Sequence, residues 1–303
     1  MLLGLAAGVA LPVQAAVNAR LSQASRNTVW TALASFSVGT VALVAYALVS
    51  AGKPPIAEMR NSPPWDYLGG VCGVFYIWAT IALVPRLGST LMFSAIVTGQ
   101  MLASLGLDRI GFLGMPVHAF TIERVVGTAL VVAGVIVVRV LAADPRQSGR
   151  AAGEYRAPLG LVGLAVAVGT VLPVQVSLNG QLGKQLGSAT WATVISFAVG
   201  TIALVVLLLV GRGRIPSRHD LKTAPWWAWS GGILGAFYVW ATITLVPRLG
   251  TAVLFSLIIA GQMLFSLAAD SFGWLGISRR PFRGAVAAGA LMVALGVMLI
   301  RTF

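Results

Sequence analysis

The polar side chains that fall inside otherwise apolar stretches of this chain are where chemistry can sit, and most of them are amides. Gln14 and Asn18 are spaced i to i+4, which puts them on one face of a helix, and Gln175 with Asn179 repeat that spacing later in the chain. Carboxamides donate and accept hydrogen bonds without the cost of burying a charge, so such a stripe suits recognition of a neutral or anionic metabolite. It suits helix–helix adhesion equally well, where a hydrogen bond contributes about 0.6 kcal/mol on average. Gln100 with Ser104, and Gln262 with Ser266, form a second stripe that carries the same two readings.

One helical turn beyond the second stripe lie Asp108 and Asp270, an acidic pair at equivalent positions. They could bind a proton or other coupling ion, or serve as interfacial carboxylates bonded to loop backbone or to a neighbour such as Arg109. No Asp or Glu falls near the middle of any apolar stretch, which disfavours a carboxylate-centred carrier of permanently cationic drugs.

Pro12 and Pro173 each remove one hydrogen bond from a helix and push on the carbonyl four residues earlier. Those carbonyls belong to Gly8 and Gly169, where the lack of a side chain lets a ligand approach the backbone. The four residues are candidate kinks or hinges. Tyr76 and Trp78, with Tyr238 and Trp240, offer amphipathic rings that can stack on a substrate or simply pack. Trp65, Trp226, Trp227 and Trp229 stand at the starts of apolar stretches and are expected to be interfacial anchors.

The chain lacks the residues for several other chemistries. His118 and His219 fall in loops without further ligands at metal spacing, and Cys72 is the single cysteine, so no metal site and no intrachain disulfide are expected. There is no Walker-type phosphate loop, no His-Glu-x-x-His and no Gly-x-Ser-x-Gly. No catalytic residue and no cofactor are expected, and any energy must come from a gradient.

What positions these groups is a membrane. Of 303 residues, 58% are hydrophobic and 10% charged, with a mean hydropathy of +0.90, far from the composition of a soluble domain. A bilayer span needs about 20 mostly apolar residues. Stretches of that kind fall at 2–20, 29–50, 65–84, 88–107, 122–141, 158–178, 189–210, 226–246, 250–269 and 284–301. The net charge of +13 sits in the loops between them, which fits orientation against a membrane and not nucleic-acid binding.

The stretches fall into two copies. Leu-Pro-Val-Gln at 11–14 returns at 172–175, Ser35-Phe36 with Gly39-Thr40 returns as Ser196-Phe197 with Gly200-Thr201, and VFYIWATIALVPRLG at 74–88 matches AFYVWATITLVPRLG at 236–250 in 12 of 15 positions. Residues 1–145 form the first five-helix repeat and 155–303 the second. An odd number of crossings per copy inserts the second copy from the opposite side, giving inverted repeats, a recurrent architecture of secondary transporters whose site lies near the bilayer midplane.

Orientation follows from charge. The loops after odd-numbered spans carry about fourteen of the 21 Lys and Arg residues and the other face about seven, which places both termini outside.

The motif set of Gln14 and Asn18, Ser35-Phe36 with Gly39, Gly69-Gly70, Pro85 with Gly88, and Gly99-Gln100 followed by Ser104 and Asp108, each with a second-half counterpart, resembles the YdcZ-like branch of the drug/metabolite transporter superfamily. The resemblance covers the full length and implies a fused ten-helix transporter, for which a single chain can suffice. The expectation is therefore an all-α integral membrane protein of ten transmembrane helices in two inverted repeats. It would reside in the cell inner membrane, surrounded by lipid, and carry a small-molecule substrate by alternating access. The rival readings are a lipid scramblase or channel, and a membrane-embedded enzyme acting on lipid.

Overall fold

The computed structural model describes all residues except 88, 115, 143–157, 212–213, 273–283 and 303. The described residues form helices and no strand. In chain order these are α1 (Leu2–Ser25), α2 (Thr28–Ser50), α3 (Ile56–Asn61), a 3-10 turn (Pro64–Leu68), α4 (Gly69–Leu87), α5 (Ser89–Ile110) and α6 (Ile122–Ala142). They continue with α7 (Leu159–Gly169), α8 (Val171–Gln185), α9 (Ala189–Val210), α10 (Arg218–Leu221), a 3-10 turn (Trp226–Ser230), α11 (Gly231–Phe272) and α12 (Gly284–Thr302). Five helical segments, Leu2–Ser25, Thr28–Ser50, Leu159–Gln185, Ala189–Val210 and Trp226–Phe265, are long and apolar enough to cross a membrane. The protein is an all-α integral membrane protein.

The helix boundaries follow from local chemistry that the two repeats share. Asn27 caps α2 by accepting a hydrogen bond from the Trp30 amide at 3.1 Å, and Ser188 caps α9 by accepting one from the Trp191 amide at 3.2 Å. The residue before each cap, Arg26 or Gly187, takes a left-handed conformation (φ 52° and 60°) that ends the preceding helix. The third expected stretch begins four residues late: 65–68 lie in the 3-10 turn, and the helix proper starts at Gly69.

The two prolines act differently. Pro12 lies within a continuous α1. Near Pro173 the helix is interrupted at Thr170, whose amide and hydroxyl both bond back to the Ala167 carbonyl, at 3.1 and 2.7 Å. Expected stretches 226–246 and 250–269 fall in α11, which breaks direction at Gly250 (φ 76°, ψ 170°), a conformation open essentially to glycine alone.

Two compact units divide the chain. Unit 1 contains Met1–Val74, Leu113–Met115 and Gln175–Arg248; unit 2 contains Phe75–Phe112, Pro116–Val174 and Leu249–Phe303. Each unit thus draws corresponding segments from both sequence repeats. In unit 1, α2 packs on α9 through pairs of equivalent residues: Phe36 stacks on Phe197 (centroids 4.9 Å apart), and the Thr40 and Thr201 hydroxyls hydrogen-bond at 3.1 Å. In unit 2, α6 packs on α12 where Gly127 meets Gly296 and Gly134 meets Gly289 at contact distances that leave no room for a methyl group.

Candidate functional site

Unit 1 holds the first amide stripe of both repeats, and each stripe meets a glycine pair from the other repeat. Asn18 and Gln14 on α1 lie on Gly231 and Gly235 of α11; Asn179 and Gln175 on α8 lie on Gly69 and Gly73 of α4. A methyl group added at any of these glycines would overlap or crowd the facing carboxamide. The next glycines carry the pattern on: Gly70 sits against the Ser196 carbonyl, and Gly232 against the Ser35 carbonyl. The glycine pairs, which sequence spacing alone marks as sites of close helix approach, are the seats of the amides.

The four amides differ in exposure. Gln175 and Asn179 are buried (6% and 1% exposed), whereas Gln14 and Asn18 are half-buried. Asn18 Oδ1, Gln175 Oε1 and both polar atoms of the Asn179 carboxamide are buried without a hydrogen-bond partner. Buried amide atoms normally find partners, so this cluster retains hydrogen-bonding capacity that no described residue uses.

A cavity of about 350 Å³ opens in unit 1 beside Arg20, Gln23, Ala24, Thr223, Pro225 and Trp227. Of these, only Trp227 is singled out by the sequence, as an interfacial anchor. The Asn27 side chain donates to the Arg214 carbonyl at 2.7 Å, joining the loop after α1 to the loop after α9.

In unit 2, Asp108 is buried and saturated. Its carboxylate pairs with Arg124 at 2.9 Å and accepts hydrogen bonds from the amides of Thr251 (2.6 Å) and Ala252 (3.1 Å) and from the Thr251 hydroxyl. Those amides are the first after the break at Gly250, so Asp108 caps the second part of α11, where a negative charge is favoured. Arg124 is itself 1% exposed, and His118 Nδ1 lies 3.7 Å from the carboxylate. Of the partners expected for Asp108, backbone amides are present, and the neighbouring cation is Arg124 in place of Arg109.

The remaining candidates are distributed between the units. Gln100 and Ser104 are buried in unit 2, where the Ser104 hydroxyl donates to the Gln100 carbonyl at 2.6 Å and the Ser104 carbonyl accepts from Thr251. Gln262 is half-buried on α11; Ser266 and Asp270 lie on the same helix, but their side chains fall outside the described residues. Tyr238 is buried, Tyr76 and Trp240 are half-buried, and Trp78 is 55% exposed. Gly8 is buried in α1 with Pro12 one turn on, and Gly169 of unit 2 packs against the Ile96 carbonyl and Gly99. Among the described residues no group of three His, Cys, Asp or Glu side chains is placed to hold a metal.

Apolar helices and an internal duplication define a multi-pass membrane protein, and its family match makes it a transporter of the inner membrane. Residues 1–137 and 160–299 match the family described as "Putative inner membrane exporter, YdcZ", and the chain belongs to that family. It is 26% identical over 135 residues to the inner membrane protein YdcZ of Escherichia coli (strain K12), which covers 45% of this chain and 90% of that protein. That relative is thus about the length of one repeat. A protein of known crystal structure, 18% identical, aligns over 98% of this chain and 94% of its own with a TM-score of 0.69, a likeness of fold.

Proposed function

We propose that the chain is a secondary transporter of a small neutral or anionic solute, crossing the membrane ten times and working by alternating access between two inverted repeats. The observation that carries this reading is the paired seating of the amides: Gln14 and Asn18 of one repeat on Gly235 and Gly231 of the other, and Gln175 and Asn179 on Gly73 and Gly69, with buried amide atoms left unpartnered. Sites of inverted-repeat carriers lie where the repeats meet, and unpartnered amides there favour a ligand with its own donors and acceptors. The family description supports export as the direction.

Gln14, Asn18, Gln175 and Asn179 would contact the solute. Gln100, Ser104, Gln262, Ser266 and the four rings Tyr76, Trp78, Tyr238 and Trp240 would complete the passage. The helix interruption at Thr170 supports flexing about Gly169 and Pro173, with Gly8 and Pro12 as the counterpart. For Asp108, capping and pairing with Arg124 favour a structural role over coupling.

A ligand that binds the native state stabilises it. A thermal-shift screen of purified protein against neutral, anionic and cationic metabolites, repeated with Gln14→Ala and with Gln175→Ala, tests the reading. A hit lost in both variants places the site at the amides; a hit indifferent to both removes it from there. Counterflow separates a carrier from a channel or scramblase, because only a carrier is accelerated by substrate on the far side.

A further inference from the structure

Asp66 lies on the 3-10 turn Pro64–Leu68 and is 0% exposed, yet among the described residues neither carboxylate oxygen is in hydrogen-bonding geometry with a partner. It caps no helix and pairs with no cation among the described residues. The turn packs against α9, which contains no charged residue. Lys184, at the end of α8, gives its ammonium to the Gly114 carbonyl, and Tyr67 gives its hydroxyl proton to the Met59 carbonyl. Glu58 and Arg60 lie on the preceding α3 and make no ion pair with it. The nearby polar side chain is that of Gln185, whose Oε1 is also buried and unpartnered.

The internal duplication shows what the fold requires at this place. The counterpart of Asp66 in the second repeat is Ala228, also 0% exposed, and the counterpart of Gln185 in the first is Ala24. At one end of unit 1 both positions are alanine, and at the other both are polar. A carboxyl needed only for packing would be needed twice. Burying an unpaired carboxylate is costly, so the acid is retained against a stability cost that alanine would avoid.

We propose that Asp66 and Gln185 form a proton-binding site at one end of unit 1. A proton from water converts the carboxylate to a neutral acid whose single O–H donor has a ready acceptor in Gln185 Oε1. Loss of that proton to water leaves a carboxylate toward which the same amide, turned over, presents its NH2 group. Gln185 can therefore partner both states. Burial pushes the Asp66 carboxyl above the usual carboxylate range, and the Gln185 side chain offsets part of that rise. Proton binding stands independently of the transport reading; only a role in driving transport rests on it.

The test is a pH titration of the full chain in liposomes by difference infrared spectroscopy, following the protonated-carboxyl C=O stretch. The wild type should keep a protonated carboxyl at pH values above about 4, the ordinary value for Asp. Asp66→Asn should abolish that band and Glu58→Gln should not. Gln185→Ala should move its midpoint upward, because the amide that favours the charged form is gone. A band unaffected by Asp66→Asn, one titrating in the ordinary range, or one displaced by sodium at fixed pH overturns the proposal.

Stability gives a second readout. The folded carboxyl holds its proton more tightly than the unfolded one, so wild-type stability falls as pH rises between the two pKa values and stays lower above them. Asp66→Asn should flatten that fall and melt no lower than wild type at neutral pH. Asp66→Ala with Gln185→Ala, which copies the pair already accommodated at Ala228 and Ala24, should do the same if the asparagine variant does not fold. None of these measurements needs a substrate, so their failure leaves the transporter reading standing, and failure of the metabolite screen leaves the proton site standing.

Discussion

The side-chain oxygen of Asn179 lies within clash distance of the point a β-carbon on Gly69 would occupy. Asn18 repeats the relationship on Gly231, so the contact that joins the repeats is made twice with the partners exchanged. Backbone at this distance tolerates a flat amide but no methyl group.

Gly69→Ala should therefore destabilise the protein by about 1–3 kcal/mol, the usual cost of forcing extra volume into a packed site. Asn179→Ala in the same chain should recover most of that loss, since removing the amide makes room for the methyl. Gly231→Ala should cost less, because Asn18 is half-buried and can swing aside where the buried Asn179 cannot. Melting temperatures of the purified single and double variants measure all three. A Gly69→Ala protein as stable as wild type would show that the two groups do not touch.

The pairing of α2 with α9 makes a sharper prediction. The Thr40 and Thr201 hydroxyl oxygens are 3.1 Å apart, so cysteines placed there bring their sulfurs within easy reach of a disulfide. With Cys72 replaced by alanine, Thr40→Cys with Thr201→Cys should cross-link under mild oxidation. A protease site inserted between residues 143 and 157 turns the bond into a gel assay: after cleavage the halves stay together until reductant is added. Halves that separate without reductant would refute the pairing.

Much of this frame is legible in the sequence. The repeat announces itself through Leu-Pro-Val-Gln and through the 12 matched positions of 74–88, and the expected apolar stretches fall on helices because composition in a bilayer leaves a chain little alternative. What spacing could not show was partnership. Gly69 and Gly73 carry a small-residue signal, and Gln175 and Asn179 an amide signal, but nothing in either says that one seats the other across about a hundred residues. Arg124 likewise gives no sign that it pairs with Asp108, because a loop returns it there. Asp66 escaped for a different reason: it stands at the mouth of a stretch, where acids are ordinary, and only comparison with Ala228 marks it as an exception to the repeat.

At Asp108 the prediction concerns what remains after one partner is removed. Asp108→Ala leaves the Arg124 guanidinium buried and unpaired, and Arg124→Ala leaves the carboxylate without its cation, so each should cost about 3–5 kcal/mol. The double variant should cost less than the sum, because the second removal no longer strands a charge. Gly250→Ala should destabilise through its positive φ and through collision with Asp108 and His118. Thermal melting again provides the measurement. If Asp108 couples transport instead, Asp108→Asn with Asp270→Asn should abolish the pH dependence of transport; a capping role leaves that dependence intact.

The orientation of the chain follows from which loops meet. The Asn27 side chain, after α1, donates to the Arg214 carbonyl, after α9, and the cavity beside Arg20 is closed by Thr223, Pro225 and Trp227 of that same later loop. Lys184, at the end of α8, donates to Gly114 between α5 and α6. Within unit 1 the loops thus gather at two ends separated by α9, whose 22 residues span roughly 33 Å. The end with Arg20, Arg26, Arg214 and Lys222 is the more basic, and basic loops stay in the cytoplasm. The prediction is that both termini face outward. Alkaline phosphatase fused after Phe303 should be active, and the same reporter inserted between Arg214 and Arg218 inactive, with a fluorescent-protein reporter giving the opposite pattern. The reverse outcome would turn the molecule over in the membrane while keeping the two ends distinct, and would move the Asp66 carboxyl from the outer mouth to the inner one.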